Sequence, residues 1–279
     1  MRFGVHMSIK SNFAKSLKRI KEIGGETIQI FPGNPTSWRP PSTPPDEIAK
    51  RVALMKELNI YPMVVHTAYL INLATAKEDF YLKSKKLLHE TLVHAALYKA
   101  PYVVLHTGSH GGSGAHEGIK KIVAAIEEEL KAWPEGVKLL LENTAGGGSY
   151  LGGKVKDVGT ILDYFPGSPL GFCMDTAHAW AAGYDISGEE GVSKLLEEVD
   201  KEVGLDKLHV IHANDTSVDI SSRHDRHQHI GEGLIGFSGF KALLQKEWPE
   251  DLPVILETPD NGTEKDSDNL KALRSCLTG

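Results

Sequence analysis

Residues 102–106 read YVVLH, residues 137–142 read VKLLLE and residues 170–175 read LGFCMD. Each is a short run rich in aliphatic residues that ends in a histidine or a carboxylate. Continuous apolar runs of this length are typical of strands that are buried on both faces, as in a parallel sheet. Similar runs occupy residues 2–6, 27–31, 61–66, 208–212 and 254–257. The sequence therefore predicts eight buried strands.

Segments with an apolar residue every three or four positions separate these runs. Examples are FAKSLKRIKEIGG at residues 13–25 and PDEIAKRVALMKELN at residues 45–59. Such spacing predicts amphipathic helices, and eight strands that alternate with eight helices indicate an α/β fold of the (β/α)8 TIM-barrel type. The competing arrangement, a doubly wound open sheet, rarely needs so many units. No break in composition marks a second domain, so residues 1–279 are expected to form one barrel domain.

The composition argues against several classes of protein. No apolar run approaches the roughly 18 residues that a membrane span needs, and the N-terminal MRFGVHMSIK lacks the pattern of a signal peptide. With Cys173 and Cys276 as the only cysteines, neither a disulfide framework nor a cysteine-based zinc motif is expected. We expect a cytoplasmic protein in which Cys173 is a buried core thiol.

The net charge does not by itself indicate a nucleic-acid partner. It is −6, whereas proteins that bind nucleic acid usually present a basic surface. Three bound divalent cations would compensate this charge, and bound metals often dominate the electrostatics of a site. Composition therefore leaves a DNA substrate open.

Six consecutive predicted strands end in a side chain that can bind a metal ion. These residues are His66, His106, Glu142, Asp175, His212 and Glu257. In a (β/α)8 barrel the C-terminal ends of the strands meet at one rim, where active sites lie. A helix cap or a loop contact would explain any one of them alone. Caps would also favour Ser, Thr and Asn, however, and a glutamate that points inward unpaired is costly to ionise. The set therefore predicts a metal site at the rim.

Two short motifs add three candidates. In DTAH, His178 follows a strand-ending aspartate by three positions, in the next loop or the first helical turn; in DRH, Asp225 and His227 alternate with an arginine. Imidazole and carboxylate ligands suit zinc, with manganese or iron as alternatives. Nine candidate ligands are too many for one four- or five-coordinate ion. A cluster of two or three ions fits better, with a carboxylate such as Glu142 bridging a pair.

Several longer segments resemble the successive motifs of the endonuclease IV family, the zinc-dependent apurinic/apyrimidinic endonucleases. They are HTAYLINLA, HTGSHGG, LENTAGGGSYLG, MDTAHAWAAGYD, HANDT, RHDRHQHIGEG and LETP. All occur in the family's order, and the resemblance extends from GVHMSI near the N-terminus to Glu257. It independently implies the barrel, a DNA substrate and a three-zinc site.

The resemblance also implies which residues hold which ion. The ligands of the first ion would be His66, His106 and Glu142. Glu142 would bridge to a second ion, held by Asp175, His212 and Glu257. The ligands of the third ion would be His178, Asp225 and His227. The expected ions are Zn²⁺, with Mn²⁺ as an alternative at one or more sites.

Contacts with DNA are expected from residues of the rim loops. The resemblance suggests that Tyr69 and Leu70 enter the helix at the lesion, a known way to bend DNA; packing within the loop is the alternative for Tyr69. Phosphate contacts are expected from Asn34, Trp38, Ser109, Arg223 and Arg226. Arg226 could equally orient the ligands on either side of it. The family commonly carries a basic residue where this chain has Thr36, and Arg39 is a candidate substitute.

The function that follows is the hydrolysis of DNA at damaged, base-less sites. Metal ions lower the pKa of bound water and hold the attacking and departing oxygens of a phosphodiester. Cleavage is expected 5′ to the abasic deoxyribose, leaving a 3′-hydroxyl and a 5′ deoxyribose phosphate, with Glu142 positioning the nucleophile. The expected partner is double-stranded DNA that contains abasic sites. A monomer is expected, with no membrane and no obligate protein partner.

Two other functions remain open on the sequence. A sugar isomerase or epimerase with a xylose-isomerase-like barrel would need only Glu142, Asp175, His212 and Glu257, and would leave the other candidate ligands unexplained. A DNA-binding protein that had lost catalysis would be expected to have lost ligands as well. Metal stoichiometry separates the first alternative from a nuclease, and a cleavage assay separates the second.

Overall fold

Eight parallel strands close into a barrel in the computed structural model, which describes residues 1–8 and 12–277. The strands are β1 (Arg2–His6), β2 (Thr27–Ile30), β3 (Met63–His66), β4 (Tyr102–His106), β5 (Lys138–Glu142), β6 (Leu170–Asp175), β7 (Leu208–His212) and β8 (Pro253–Leu256). Each strand pairs with the next one in the chain, and β8 pairs with β1 to close the barrel. The predicted (β/α)8 barrel is confirmed, and every strand end lies within two residues of its predicted position.

Helices surround the barrel and connect its strands. Within the described ranges they are α1 (Phe13–Glu22), α2 (Pro45–Leu58), α3 (Glu78–Leu97), α4 (Ala115–Glu129), α5 (Val155–Leu162), α6 (Thr176–Ala182), α7 (Glu189–Glu202), α8 (Gly236–Leu244) and α9 (Lys265–Ser275). Eight of them correspond to the predicted helices. The additional one is α6, a short helix directly after β6. None of the described helices is long and apolar enough to cross a membrane.

Local sequence explains where α6 begins and ends. The Asp175 side chain accepts a hydrogen bond from the backbone N–H of His178 at 2.7 Å, so it satisfies an N–H group that the first helical turn leaves free. Gly183 ends the helix with φ of 117°, a left-handed conformation that favours glycine. The helix therefore fixes His178 one turn above the end of β6.

A layer of six apolar side chains lies inside the barrel. Its members are Val64, Val104, Leu140, Cys173, Val210 and Ile255, all fully buried. The prediction that Cys173 is a buried core thiol is confirmed. Side chains along a strand alternate between two faces, so the next inward-pointing position lies two residues further on. Those positions are His66, His106, Glu142, Asp175, His212 and Glu257. The alternation that fills the interior thus also directs the six strand-end side chains towards the axis of the barrel.

Candidate metal centre

The nine side chains predicted to bind metal lie together at the C-terminal rim of the barrel. Within each of the following groups, the possible ligand atoms lie within 4.8 Å of one another. One group is His66, His106 and Glu142; another is Glu142, Asp175, His212 and Glu257; and another is Asp175, His178 and His227. Asp225 joins the last group, because its Oδ2 lies 3.3 Å from Nε2 of His178 and its Oδ1 lies 3.2 Å from Nε2 of His227. The structure establishes this proximity; the role of the residues as ligands stays a prediction.

Glu142 lies between two of these groups. Its Oε2 is 3.3 Å from Nε2 of His66 and 3.1 Å from Nε2 of His106. Its Oε1 is 2.9 Å from Nδ1 of His212. The side chain has no exposed surface, so both oxygens face other protein groups. One carboxylate whose two oxygens face different sets of imidazoles has the geometry of a bridging ligand.

Backbone carbonyls orient three of the histidines. The Nδ1–H groups of His66, His178 and His227 donate to the carbonyl oxygens of Thr67, Asn143 and Glu257, at 2.8, 2.9 and 2.9 Å. A carbonyl oxygen can only accept, so Nδ1 must carry the proton and Nε2 is left for an ion. Second hydrogen bonds of this kind are typical of histidines that bind metals.

Two asparagines that the sequence alone does not single out hold Asp175 and Glu257, mainly through their backbone groups. The side chain of Asn143 donates to the backbone oxygen of Asp175 at 2.9 Å and accepts from its N–H at 2.8 Å. Asn214 donates to Oδ2 of Asp175 at 2.7 Å and accepts from the N–H of Glu257 at 2.8 Å. Both asparagines follow the strand ends closely, within the LENT and HAND segments, and that position was the available signal.

The electrostatics of the site favour bound cations. Burial alone would raise the pKa of Glu142, but the charges of His212 and His106 hold it well below its usual range. Burial lowers the pKa of His227, yet the adjacent carboxylates of Asp225 and Asp175 raise it to about 9. The buried carboxylates thus favour positive charge on their neighbours. A metal cation bound among them would satisfy the same preference.

Two buried side-chain atoms have no hydrogen-bond partner among the described residues, Nε of Arg2 and Nε2 of His227. Nε2 of His227 is shielded from solvent, and Oδ1 of Asp225, 3.2 Å away, does not lie in hydrogen-bonding geometry. Buried polar atoms are nearly always paired, so an unpaired one indicates a position for a water molecule or an ion. Nitrogen and oxygen donors in this number suit zinc. The side chains present therefore fit a group of divalent cations.

Cys173 also lies near Glu142 and His212, but it is not a comparable donor. Burial raises the pKa of its thiol to about 12, and the side chain packs in the interior layer, two residues before the strand-end Asp175. Only the thiolate form is a good metal ligand. The candidate centre therefore consists of imidazoles and carboxylates.

Comparison with known proteins identifies the family. A profile described as "Xylose isomerase-like TIM barrel" matches residues 17–276. A "Probable endonuclease 4" from Natranaerobius thermophilus is 50% identical over 278 residues, which cover 99% of this chain and 98% of that protein. The crystal structure of endonuclease IV from Thermus thermophilus is 34% identical, covers 99% of both chains and has a TM-score of 0.85. The chain belongs to the endonuclease IV family.

The predicted family and the prediction of an enzyme are thereby confirmed. A D-tagatose 3-epimerase-like protein also matches, with 22% identity, a TM-score of 0.75 and coverage of 99% of this chain and 97% of that one. At that identity the likeness shows the fold alone. Endonuclease IV and the epimerase-like protein thus share the barrel, and the ligand set has to distinguish them.

A cleft of about 760 Å³ opens beside the candidate metal centre of this endonuclease IV family member. Tyr69, Leu70, Arg223 and Arg226 line it, together with the ligand candidates His106, His178 and Asp225. The Tyr69 side chain is 61% exposed, and its ring packs edge-on against Phe31 with centroids 5.0 Å apart. Tyr69 therefore projects from a braced position beside the ligands.

Three of the predicted DNA contacts lie outside the lining of this cleft. Trp38 packs edge-on against Phe80, which lines the cleft, with ring centroids 5.9 Å apart. Ser109 exchanges a hydrogen bond with the hydroxyl of Ser149 at 2.8 Å. Asn34 is exposed, and its Oδ1 accepts from the N–H and the hydroxyl of Thr36 at 3.1 and 3.0 Å. Their contacts with DNA stay a prediction.

The two arginines are exposed, and each also donates a hydrogen bond to a backbone carbonyl. Nη1 of Arg223 donates to the carbonyl of Gly146 at 2.7 Å, which joins the loop after β7 to the loop after β5. Nη1 of Arg226 donates to the carbonyl of Asp225 at 2.7 Å. Arg39, the candidate substitute for a basic residue at Thr36, lies on the loop after β2. Arg223 and Arg226 thus line the cleft while one guanidinium nitrogen of each binds a backbone carbonyl.

Proposed function

We propose that this member of the endonuclease IV family hydrolyses the phosphodiester bond 5′ to an abasic site in double-stranded DNA. The products would be a 3′-hydroxyl and a 5′ deoxyribose phosphate. The observation that carries the proposal is the position of Glu142, whose two carboxylate oxygens face different groups of imidazoles while a third group of ligands lies beside them. The names of the relatives, endonuclease 4 and endonuclease IV, support the same activity.

Three zinc ions would occupy the three groups, with Mn²⁺ as an alternative at one or more of them. The ligands would be His66, His106 and Glu142 for the first, Glu142, Asp175, His212 and Glu257 for the second, and His178, Asp225 and His227 for the third. When bound, ions in such positions lower the pKa of water and offset the charge on the attacking and departing oxygens.

The side chains of the rim require positive charge before they can accept DNA. Four carboxylates lie at the centre of the site, on a protein of net charge −6, and would repel a phosphodiester. Glu142 is buried and already faces its imidazole partners, so it needs no rearrangement to position a nucleophile between them. The carbonyl-bound imidazoles are held in one orientation in the same way. The chain therefore supplies a pre-arranged set of donors.

Tyr69 and Leu70 would act on the DNA rather than on the phosphodiester. An aromatic side chain that is braced from behind by Phe31 can enter a base stack without folding back into its own loop. Opening the duplex there would bring the abasic sugar towards a recess of about 200 Å³ above the ligands. Arg223 and Arg226 would bind the flanking phosphates, with Asn34, Trp38 and Ser109 further out.

A sugar epimerase is less well supported, although it could use the same barrel. Four carboxylate and imidazole ligands would be enough for it, whereas the described rim also brings together His66, His106, His178, Asp225 and His227. We further propose that residues 1–279 act as one domain and as a cytoplasmic monomer without an obligate protein partner. The closure of β8 onto β1 supports the single domain.

Elemental analysis and a cleavage assay test the proposal together. Purified protein is expected to contain three zinc ions and to cut a duplex with one abasic site, and a chelator should abolish cleavage. Glu142→Gln replaces one carboxylate oxygen by an NH2 group that cannot bind a cation, so cleavage should fall by more than about 100-fold. Glu198→Gln, the same change on α7, is the control. A Glu142→Gln variant that retains its metals and near-normal activity would refute the assignment.

A further inference from the structure

Gln29 on β2 lies beneath the second group of ligands and is completely buried. Its side-chain amide touches three titratable side chains that come from three other strands or their ends. Nε2 of Gln29 lies 2.6 Å from Oε1 of Glu257 and 3.0 Å from Nδ1 of His6. Oε1 of Gln29 lies 2.8 Å from Nε2 of His212. No local sequence motif connects these four residues.

The chemistry of the amide determines every donor in this network. An ionised carboxylate can only accept, so the NH2 group of Gln29 must face Glu257. The same NH2 group faces His6, whose Nδ1 must therefore accept. The carbonyl oxygen of the amide is left towards His212, so Nε2 of that ring must carry a proton. Nδ1 of His212 then faces the ligand group, 2.9 Å from Glu142 and 3.3 Å from Oε2 of Glu257.

We propose that Gln29 is a positioning residue of the metal centre. It makes His212 present Nδ1, and Glu257 present Oε2, to the second ion. This inference rests on the proposed function, since it takes His212 and Glu257 as ligands. The rings of His66, His178 and His227 donate to backbone carbonyls, which substitution does not remove. The ring of His212 relies on a side chain instead, and this makes its role testable.

Loss of the amide would affect both ligands at once. Without Gln29, the Nε2–H of His212 has no acceptor in a fully buried environment, and Oε1 of Glu257 loses its shortest donor. Both side chains can then turn away from the ion to find other partners. Residues that orient ligands in this way typically contribute about 10–100-fold to metal affinity. We therefore expect one zinc ion of the three to be bound more weakly.

Gln29→Met tests this because it keeps the length of the side chain and removes only the amide. Ile30→Met is the control, because it places the same residue at the next position of β2, on the opposite face of the strand. The zinc retained by each protein is measured at equilibrium against increasing concentrations of a chelator. Gln29→Met is expected to release one zinc ion at a chelator concentration at least about tenfold lower than wild type and Ile30→Met.

A spectroscopic measurement separates positioning from general loosening of the core. In zinc-loaded protein with ¹⁵N-labelled histidine, a hydrogen-bonded, slowly exchanging Nε2–H of His212 is expected in the wild type and lost in Gln29→Met. Gln29→Glu keeps an oxygen acceptor for this N–H and should restore the signal, whereas its second oxygen replaces the donor to Glu257 and repels that carboxylate, so zinc binding should stay weakened. Release of zinc by Gln29→Met at the wild-type concentration, or an equal shift in Ile30→Met, would overturn the role of Gln29 alone. A wild-type protein that binds no zinc would overturn the proposed function and this inference together.

Discussion

Replacing Asp215 by asparagine should destabilise the loop that carries two of the candidate ligands. Asp215 lies just beyond β7 and is completely buried. Its Oδ1 accepts from the backbone N–H groups of Thr216 and Ile235, at 2.9 and 3.0 Å, and its Oδ2 accepts from those of Gly231 and Gly233, at 2.9 and 3.1 Å. One carboxylate thus closes the chain reversal that follows the DRH segment.

The magnitude follows from the donors that asparagine cannot satisfy. In Asp215→Asn, one oxygen becomes an NH2 group that points at two backbone N–H groups. At least two charge-assisted hydrogen bonds are lost, each contributing about 1.5–3 kcal/mol. We expect the free energy of unfolding to fall by about 3 kcal/mol or more, a large part of the roughly 5–15 kcal/mol typical of a folded protein.

The same change should weaken the third ion site before the other two. The backbone of this loop is tied to residues 215 and 216, because the N–H of Gln228 donates to the carbonyl of Asp215 at 2.7 Å and the hydroxyl of Thr216 donates to the carbonyl of Arg226 at 2.6 Å. Asp225 and His227 flank Arg226, so loosening the loop displaces both. One zinc ion should therefore be released more readily than in the wild type.

Denaturant unfolding of the metal-free proteins measures the loss of stability, and zinc content after dialysis measures the loss of the ion. Asp185→Asn is the matched control, because Asp185 is an exposed carboxylate that accepts from the N–H and the hydroxyl of Ser187. Its effect should not exceed about 0.5 kcal/mol. If Asp215→Asn costs less than about 1 kcal/mol, or no more than the control, the assignment of Asp215 as the anchor of the loop is wrong.

Two further changes test the rim and the packing of the helices. Tyr69→Ala should weaken binding of a duplex with one abasic site by about tenfold or more, because loss of an inserted aromatic typically costs about 1–3 kcal/mol. Fluorescence anisotropy measures this affinity, and Tyr164→Ala, after α5, is the control. Unchanged affinity, or an equal loss in the control, would exclude insertion. Gly159→Ala should cost about 1–3 kcal/mol in thermal or denaturant unfolding, since a Cβ there would lie 2.0 Å from the carbonyl oxygen of Glu202 on α7. Gly33→Ala, whose Cβ would make only ordinary contacts, should be near neutral, and similar losses in the two variants would contradict the steric argument.

The strands could be predicted because the barrel buries them on both faces, which leaves an unbroken apolar run as their signal. Helix α6 could not be predicted in the same way. Residues 176–181 are all buried, so the segment TAHAWAA has no polar face and no amphipathic period. The sequence predicts its N-cap, Asp175, as a strand-end ligand, and the structure gives this residue a helix-capping hydrogen bond as well.

The candidate ligands were accessible from the sequence for a related reason: six of them end a recognisable strand. Gln29 was not, because its partners are 23, 183 and 228 residues away in the chain. A glutamine in a short apolar strand has no local signature of what it will touch. Only the closure of the barrel, which places β1, β2, β7 and β8 around one interior, brings these side chains together.

The rim thus combines two kinds of support. Six ligand candidates stand at strand ends, where the pairing of each strand with its neighbours and the alternation of side chains fix their direction. His178, Asp225 and His227 stand on a short helix and a loop, and their positions depend on particular contacts: the carbonyls of Asn143 and Glu257 and the loop anchor Asp215. Those contacts come from residues that directly follow strands β5 and β8, or lie just beyond β7. The barrel therefore places the third group indirectly, by placing the groups that hold it.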